Sequence, residues 1–103
     1  MYVNSTAIEK FKEFITKRKQ KRLIKLLIKD WYLSNNLNIG SLQITDMRFK
    51  FRPKEIKVII YLEHSDLLVG MNGSKVVRLE QFLSRMMQRK IKIESRPSQL
   101  WNV

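Results

Sequence analysis

"IKVIIYLEHSDLLVGMNGSKVVRLEQFL", residues 56–83, carries two periodicities joined by two glycines. At its start Ile56, Val58, Ile60 and Leu62 recur at every second position, the spacing of a strand that lays one face on a core. At its end Val76, Leu79, Phe82, Leu83 and Met86 recur at threes and fours, the spacing of one helix face over residues 74–88. Between them Leu67-Leu68-Val69 reads as an apolar half-turn, followed by Gly70-Met71-Asn72-Gly73. The chain holds only three glycines, so two of them standing before a helix require a backbone reason. Glycine enters positive φ without steric cost and, lacking Cβ, lets another chain come close. A helix opening at Ser74 points unpaired N–H groups and a positive dipole end at whatever covers the loop. Phosphodiester backbone suits such a place. A bare G-x-x-G occurs in many tight turns; here the strand, half-turn and helix around it make the signal more specific.

Working outward, Ile91 and Ile93 predict a last short strand over 90–94, and 95–103, with Pro97 and Trp101, forms an unpatterned tail. Upstream, Met47, Phe49 and Phe51 alternate with Arg48, Lys50 and Arg52, while Leu42 and Ile44 keep the opposite parity. The slip predicts a bulge or a break in the strand between Ile44 and Met47. Arg52-Pro53-Lys54-Glu55 is a turn, so this strand and the next form a hairpin. Residues 34–40 are loop-like. Before them, Leu23, Ile24, Leu27, Ile28 and Trp31 form the stripe of an amphipathic helix over 17–33, with Arg18, Arg22, Lys25 and Lys29 opposite. A shorter first helix over 5–15 would bury Ile8, Phe11 and Ile15, with Ser5 or Thr6 as its cap. The fold expected is α+β, a small three-stranded mixed sheet packed on one face by helices. Phe49, Phe51, Val58 and Ile60 share its core with the helices. One domain, 1–94, and the tail 95–103 account for the chain.

Lys and Arg number twenty-one against nine Asp and Glu, a formal net charge of +12. Such an excess opposes compaction unless a polyanion takes it up, which points to nucleic acid or an acidic surface. There is no cysteine, which removes disulfides and thiolate zinc sites. The apolar run 58–62 is far too short to cross a bilayer. Glu9 and Glu13 interrupt the N-terminal stretch, which does not read as a signal or transit peptide. Ala7 is the only alanine, Gly and Pro are scarce, and Ile, Lys and Asn abound, the usage of an AT-rich genome, either an organellar one or that of an AT-rich organism with the protein in its cytoplasm. His64, the single histidine, stands near Glu63 and Asp66, but no second histidine or acidic cluster joins it in a metal or catalytic set. No enzyme, metal or cofactor is expected. For the basic helix three uses stay open: lying on an anionic membrane, docking in a partner's groove, or turning its charged face to RNA or water.

Residues 56–83 followed by "KIKIE" (90–94) resemble a type II KH domain, most of all the N-terminal KH domain of the S-three family of small-subunit ribosomal proteins. The pattern is a strand, an apolar half-helix, a V/I-G-x-x-G loop, an apolar-periodic helix and a last strand. It fits without a gap from Ile56 to Leu83, and the earlier elements follow the family's order more loosely. The family's loop usually holds a basic residue between its glycines, where this chain has Met71 and Asn72. The resemblance implies a structural rRNA-binding protein in the head of the small subunit, near the mRNA entry path. It implies rRNA, mRNA and neighbouring ribosomal proteins as partners and no membrane. The family carries a further C-terminal domain, so the resemblance implies either one part of a split protein, with a separate chain supplying that domain, or a reduced relative. A mitochondrial ribosome would suit the composition. The RNA contacts expected are Arg18, Lys21, Arg22, Lys25 and Lys29 on the basic helix, and Gly70, Met71, Asn72, Gly73 and Lys75 at the loop. Arg78, Arg85 and Arg89 continue them as a stripe along the helix that follows.

Overall fold

A computed structural model describes residues 5–64, 68, 70 and 73–98, with side chains from Glu13 onward. The chain opens with one helix, α1 (Ser5–Ser34), of 30 residues and about 45 Å. The two helices expected over 5–15 and 17–33 are thus continuous. The basic run 17–22 breaks the apolar register, but Lys, Arg and Gln are good helix formers and no Gly or Pro interrupts them. α1 stops where Asn36 turns left-handed (φ 56°). There the Asn36 and Leu37 amides donate to the carbonyls of Leu33 and Tyr32, the paired closure of a Schellman end. A short 3-10 turn, Ile39–Leu42, then buries Leu42, with the Asn38 side chain accepting from the Gly40 amide. Leu42 therefore precedes the first strand instead of opening it.

Strands β1 (Ile44–Phe51) and β2 (Glu55–Leu62) form the antiparallel hairpin, closed by the Arg52 amide on the Glu55 carbonyl. Their register shifts between Ile44 and Asp46, where the parity slip places a bulge. Helix α2 (Ser74–Met87) leads into β3 (Lys90–Pro97), which pairs parallel to β2 and reaches three residues into the expected tail. The sheet order is β1-β2-β3. This is an α+β fold with two helices on one face of a three-stranded mixed sheet, an arrangement compatible with a type II KH-like fold.

The core lies between helices and sheet. Ile24, Ile28, Trp31 and Tyr32 of α1 meet Ile56, Val58, Ile60 and Leu62 of β2, Leu79 and Leu83 of α2, and Ile91 and Ile93 of β3. Phe49 and Phe51 pack against it half-buried, and Leu68 is fully enclosed. Two expected core positions differ. Leu23 lies outside with Leu26 and Leu33, so the outer side of α1 mixes leucines with its cations. The reason is rotation: the buried Ile24, Ile28 and Trp31 centre the inner face, and Leu23 stands well over a quarter-turn from Ile28. In α2, Met86 is 53% exposed while Met87 packs on the core, an exchange that periodicity alone does not anticipate.

Side chains of α2 close the outer edge of β3. The Ile91 amide donates to Ser84 Oγ and the Ile93 amide to Glu80 Oε1, both at 2.9 Å. These are N–H groups that the pairing with β2 leaves outward, and α2 satisfies them.

Candidate nucleic-acid interface

The loop before α2 adopts the backbone its glycines were expected to supply. Gly70 and Gly73 have φ of 75° and 73°, and the Gly73 amide donates to the Gly70 carbonyl at 3.4 Å. A Cβ on Gly70 would stand 2.6 Å from the Lys75 Cβ, so the loop folds tightly onto the first turn of α2. Gly73 caps that helix without a side-chain bond, and no acidic residue stands in the first turn. The first N–H groups of α2 thus follow two left-handed glycines, with no acidic residue in the helix's first turn. Met71 and Asn72, the expected contacts between the glycines, lie outside the described residues.

On α1 the expected cations Arg18, Lys21, Arg22, Lys25 and Lys29 are all exposed. Two of them also cover aromatic surface. Lys21 sits 6.0 Å from the Phe51 ring centroid and Lys25 5.9 Å from that of Phe49, with Lys17 over Phe51 at 5.7 Å. Their aliphatic stems shield the two stacked phenylalanines of the sheet's edge while their ammonium groups reach water. The order Lys17, Lys21, Lys25 against Phe51, Phe49 also fixes direction: α1 runs antiparallel to β1. Its basic run therefore lies at the hairpin end of the sheet.

The stripe on α2 divides between the ends. Arg78 and Arg85 are exposed along the helix, and Arg89 arrives at the hairpin, where its guanidinium donates to the Arg52 carbonyl. There Glu13, Lys17, Gln20, Phe51, Arg52 and Arg89 bound a cleft of about 410 Å³. The expected contacts hence form two groups. Gly70, Gly73, Lys75 and Arg78 gather where β2 leaves the sheet. Lys21 and Arg89 gather at the hairpin end, an eight-residue strand or roughly 26 Å away.

Several cations that sequence reading passed over belong to the hairpin end. Arg52, Lys54 and Lys90 line a second hollow there with Glu55. On the sheet's open face, away from the helices, cross-strand partners make three rows: Asp46–Tyr61–Arg96, Arg48–Ile59–Glu94 and Lys50–Lys57–Lys92. The signal was present in the lysines of "KFRPKEIKV" and "KIKIE"; only the register shows that they align.

The first two rows are internally compensated. Asp46 accepts from the Arg48 side chain and from the Met47 amide, which hold its carboxyl below the usual range. Glu94 is pushed up by burial, but Arg96 and then Lys57 outweigh this and its pKa ends lowered. Arg96 bonds the Tyr61 hydroxyl and Glu94, which raise its own. Beneath these groups Ile59 and Tyr61 are buried, the Arg48 guanidinium lying 5.4 Å from the Tyr61 ring. His64 lies exposed just past β2, its amide donating to the Leu42 carbonyl at 3.4 Å, and Asp66 lies outside the described residues. Among the described residues no three His, Cys, Asp or Glu side chains gather as a metal site, and no helix is long and apolar enough to cross a membrane.

No protein-family model matches the chain, and none of the curated proteins compared with it is similar.

Proposed function

We propose that the chain is a structural RNA-binding protein of the small ribosomal subunit, built on a scaffold like the N-terminal KH domain of the S-three family. The observation that carries this reading is the loop between the parallel strands β2 and β3: two glycines in left-handed backbone at the uncapped start of α2. A phosphate there would accept from the first amides of α2, meet the positive end of the dipole and find no acidic residue in that helix's first turn. The absence of a basic residue between the glycines leaves the backbone and the neighbouring Lys75 for this task. The exposed cations of α1 and α2 supply the remainder by counterion release, so affinity falls steeply with salt. No bond is made or broken; the role is positioning of rRNA, in the head of the subunit and, on the coding bias, in a mitochondrial ribosome.

Co-sedimentation with ribosomal particles from the source, before and after a high-salt wash, tests this. Retention on the small subunit through the wash supports an integral component. Loss from mature particles with RNA binding kept in isolation replaces the reading by a free KH-type or ribosome-assembly factor. Binding to anionic vesicles without RNA binding replaces it by a basic-helix module for an acidic surface.

A further inference from the structure

We propose that the row Lys50–Lys57–Lys92 on the open face of the sheet holds a second stretch of RNA backbone, on the side opposite the helices and the glycine loop. It rests on the RNA-binding reading above and adds a site which that reading does not use. Register puts Lys50 directly opposite Lys57 and Lys57 directly opposite Lys92. Like charges facing each other across strands oppose pairing unless an anion sits over them. The neighbouring rows show how this face otherwise treats charge: Arg48 has Asp46 at 3.0 Å, and Arg96 has Glu94 at 2.8 Å. In the lysine row only Lys57 has an acid, Glu94 at 3.6 Å, and Lys50 and Lys92 have none within ion-pair range among the described residues. Lys54 extends the same positive end around the hairpin, beside the Lys90–Glu55 ion pair at 4.0 Å.

The chemistry of the face chooses the occupant. The outer two strands stand roughly 10 Å apart, two interstrand spacings, so the ammonium groups form a line suited to successive phosphates. The register is uninterrupted from Asp46 to Phe51, which leaves this end of the face regular. Among the described residues this face offers no ring for a base to stack on, because Tyr61 is buried beneath its neighbours. A line of point charges without an aromatic platform binds backbone and ignores base identity. A duplex, which presents its phosphates while its bases stay stacked inside, suits such a row, and the protein would lie between two pieces of RNA, one on each side of its sheet.

The test is the double variant K50Q/K92Q, which leaves the Lys57–Glu94 ion pair in place. Binding of a short mixed-sequence RNA duplex is followed by fluorescence anisotropy over a salt series, with thermal unfolding measured alongside. We expect the slope of log affinity against log salt to fall by about 2, equally for duplexes of unrelated sequence, because two phosphate contacts are lost. The Tm should be equal to or above the parent's, since the substitutions relieve repulsion. A parent that binds RNA and a variant with the parent's slope would overturn the proposal and leave the RNA reading standing. A slope change accompanied by a lowered Tm overturns it too, as does loss of phosphatidylserine-vesicle binding with duplex affinity intact. A parent with no affinity for any RNA overturns both.

Discussion

Gly70 and Gly73 share a backbone conformation but not an environment, and replacing each by alanine separates the two. At Gly73 an added Cβ meets no atom of the described residues within 4 Å, which leaves the left-handed φ of 73° as the penalty. That costs about 1–2 kcal/mol, and the stiffer unfolded chain returns roughly 0.4–1 kcal/mol. Gly73→Ala should therefore destabilise by about 1 kcal/mol or less. At Gly70 the same backbone term applies at φ 75°, but the Cβ would stand 2.6 Å from the Lys75 Cβ and 3.2 Å from its amide nitrogen. The first turn of α2 has to move, and such overpacking costs roughly a further 1–3 kcal/mol. Gly70→Ala should lose about 2–4 kcal/mol, a large part of the ~5–15 kcal/mol that holds a small domain together. Urea unfolding followed by fluorescence of the buried Trp31 reads the difference as a midpoint shift at constant slope. Equal midpoints for the two variants, or a lower one for Gly73→Ala, would refute the close loop–helix packing on which the candidate site rests.

Four further outcomes are expected. Gly73→Asp should lower RNA affinity several-fold in a filter-binding assay while leaving the unfolding midpoint near that of Gly73→Ala, because a carboxylate replaces the phosphate at the start of α2; unchanged affinity would remove the loop from the interface. Tyr32 has a buried hydroxyl with no hydrogen-bond partner among the described residues, and burial pushes its pKa up to about 12. The unfolded phenol ionises near 10, so stability falls between pH 10 and 12 by up to ~2 kcal/mol, and Tyr32→Phe should abolish that slope and gain up to ~1 kcal/mol at neutral pH. Glu80→Ala should cost about 1–3 kcal/mol by stripping the Ile93 amide of a charged acceptor, and Glu80→Gln should recover most of it in the same denaturation assay. Gln88 closes α2 with φ 52°, so Gln88→Gly should raise stability by up to ~1 kcal/mol, read as a higher Tm.

The parts of the fold that were legible are those in which one element faces one medium. β1 alternates because the helices cover only one of its faces, and its parity slip at Ile44 is the bulge itself. The glycine pair was legible because few residues tolerate its backbone. α1 misled because it overhangs the sheet: the cations Lys17 and Lys21 fall on the same side as Ile24 and Ile28, yet they lie over Phe51 at the sheet's margin, where water is near. A lysine there looks like the end of one helix and the start of another. The left-handed residues Asn36 and Gln88 were not legible either, since helix ends favour glycine and here the closing hydrogen bonds of both Schellman ends hold other residues. Of the candidate interface, the sequence names the cations but not their grouping. Arg89 and Lys21 converge at the hairpin, the loop residues lie a strand's length away, and the lysine row exists only through register.

The closure of β3 by Ser84 and Glu80 limits how this protein can associate. Among the described residues, the outer edge of β3 has its Ile91 and Ile93 amides satisfied by α2, and the edge along β1 is bordered by no further strand. An added strand meets the least obstruction beside β1. Two copies joined there across a two-fold axis would consume both available edges and leave a six-stranded sheet bounded by β3 at either side. Such pairing puts the α2-capped amides of Ile91 and Ile93 at both outer margins, which disfavours growth beyond the dimer.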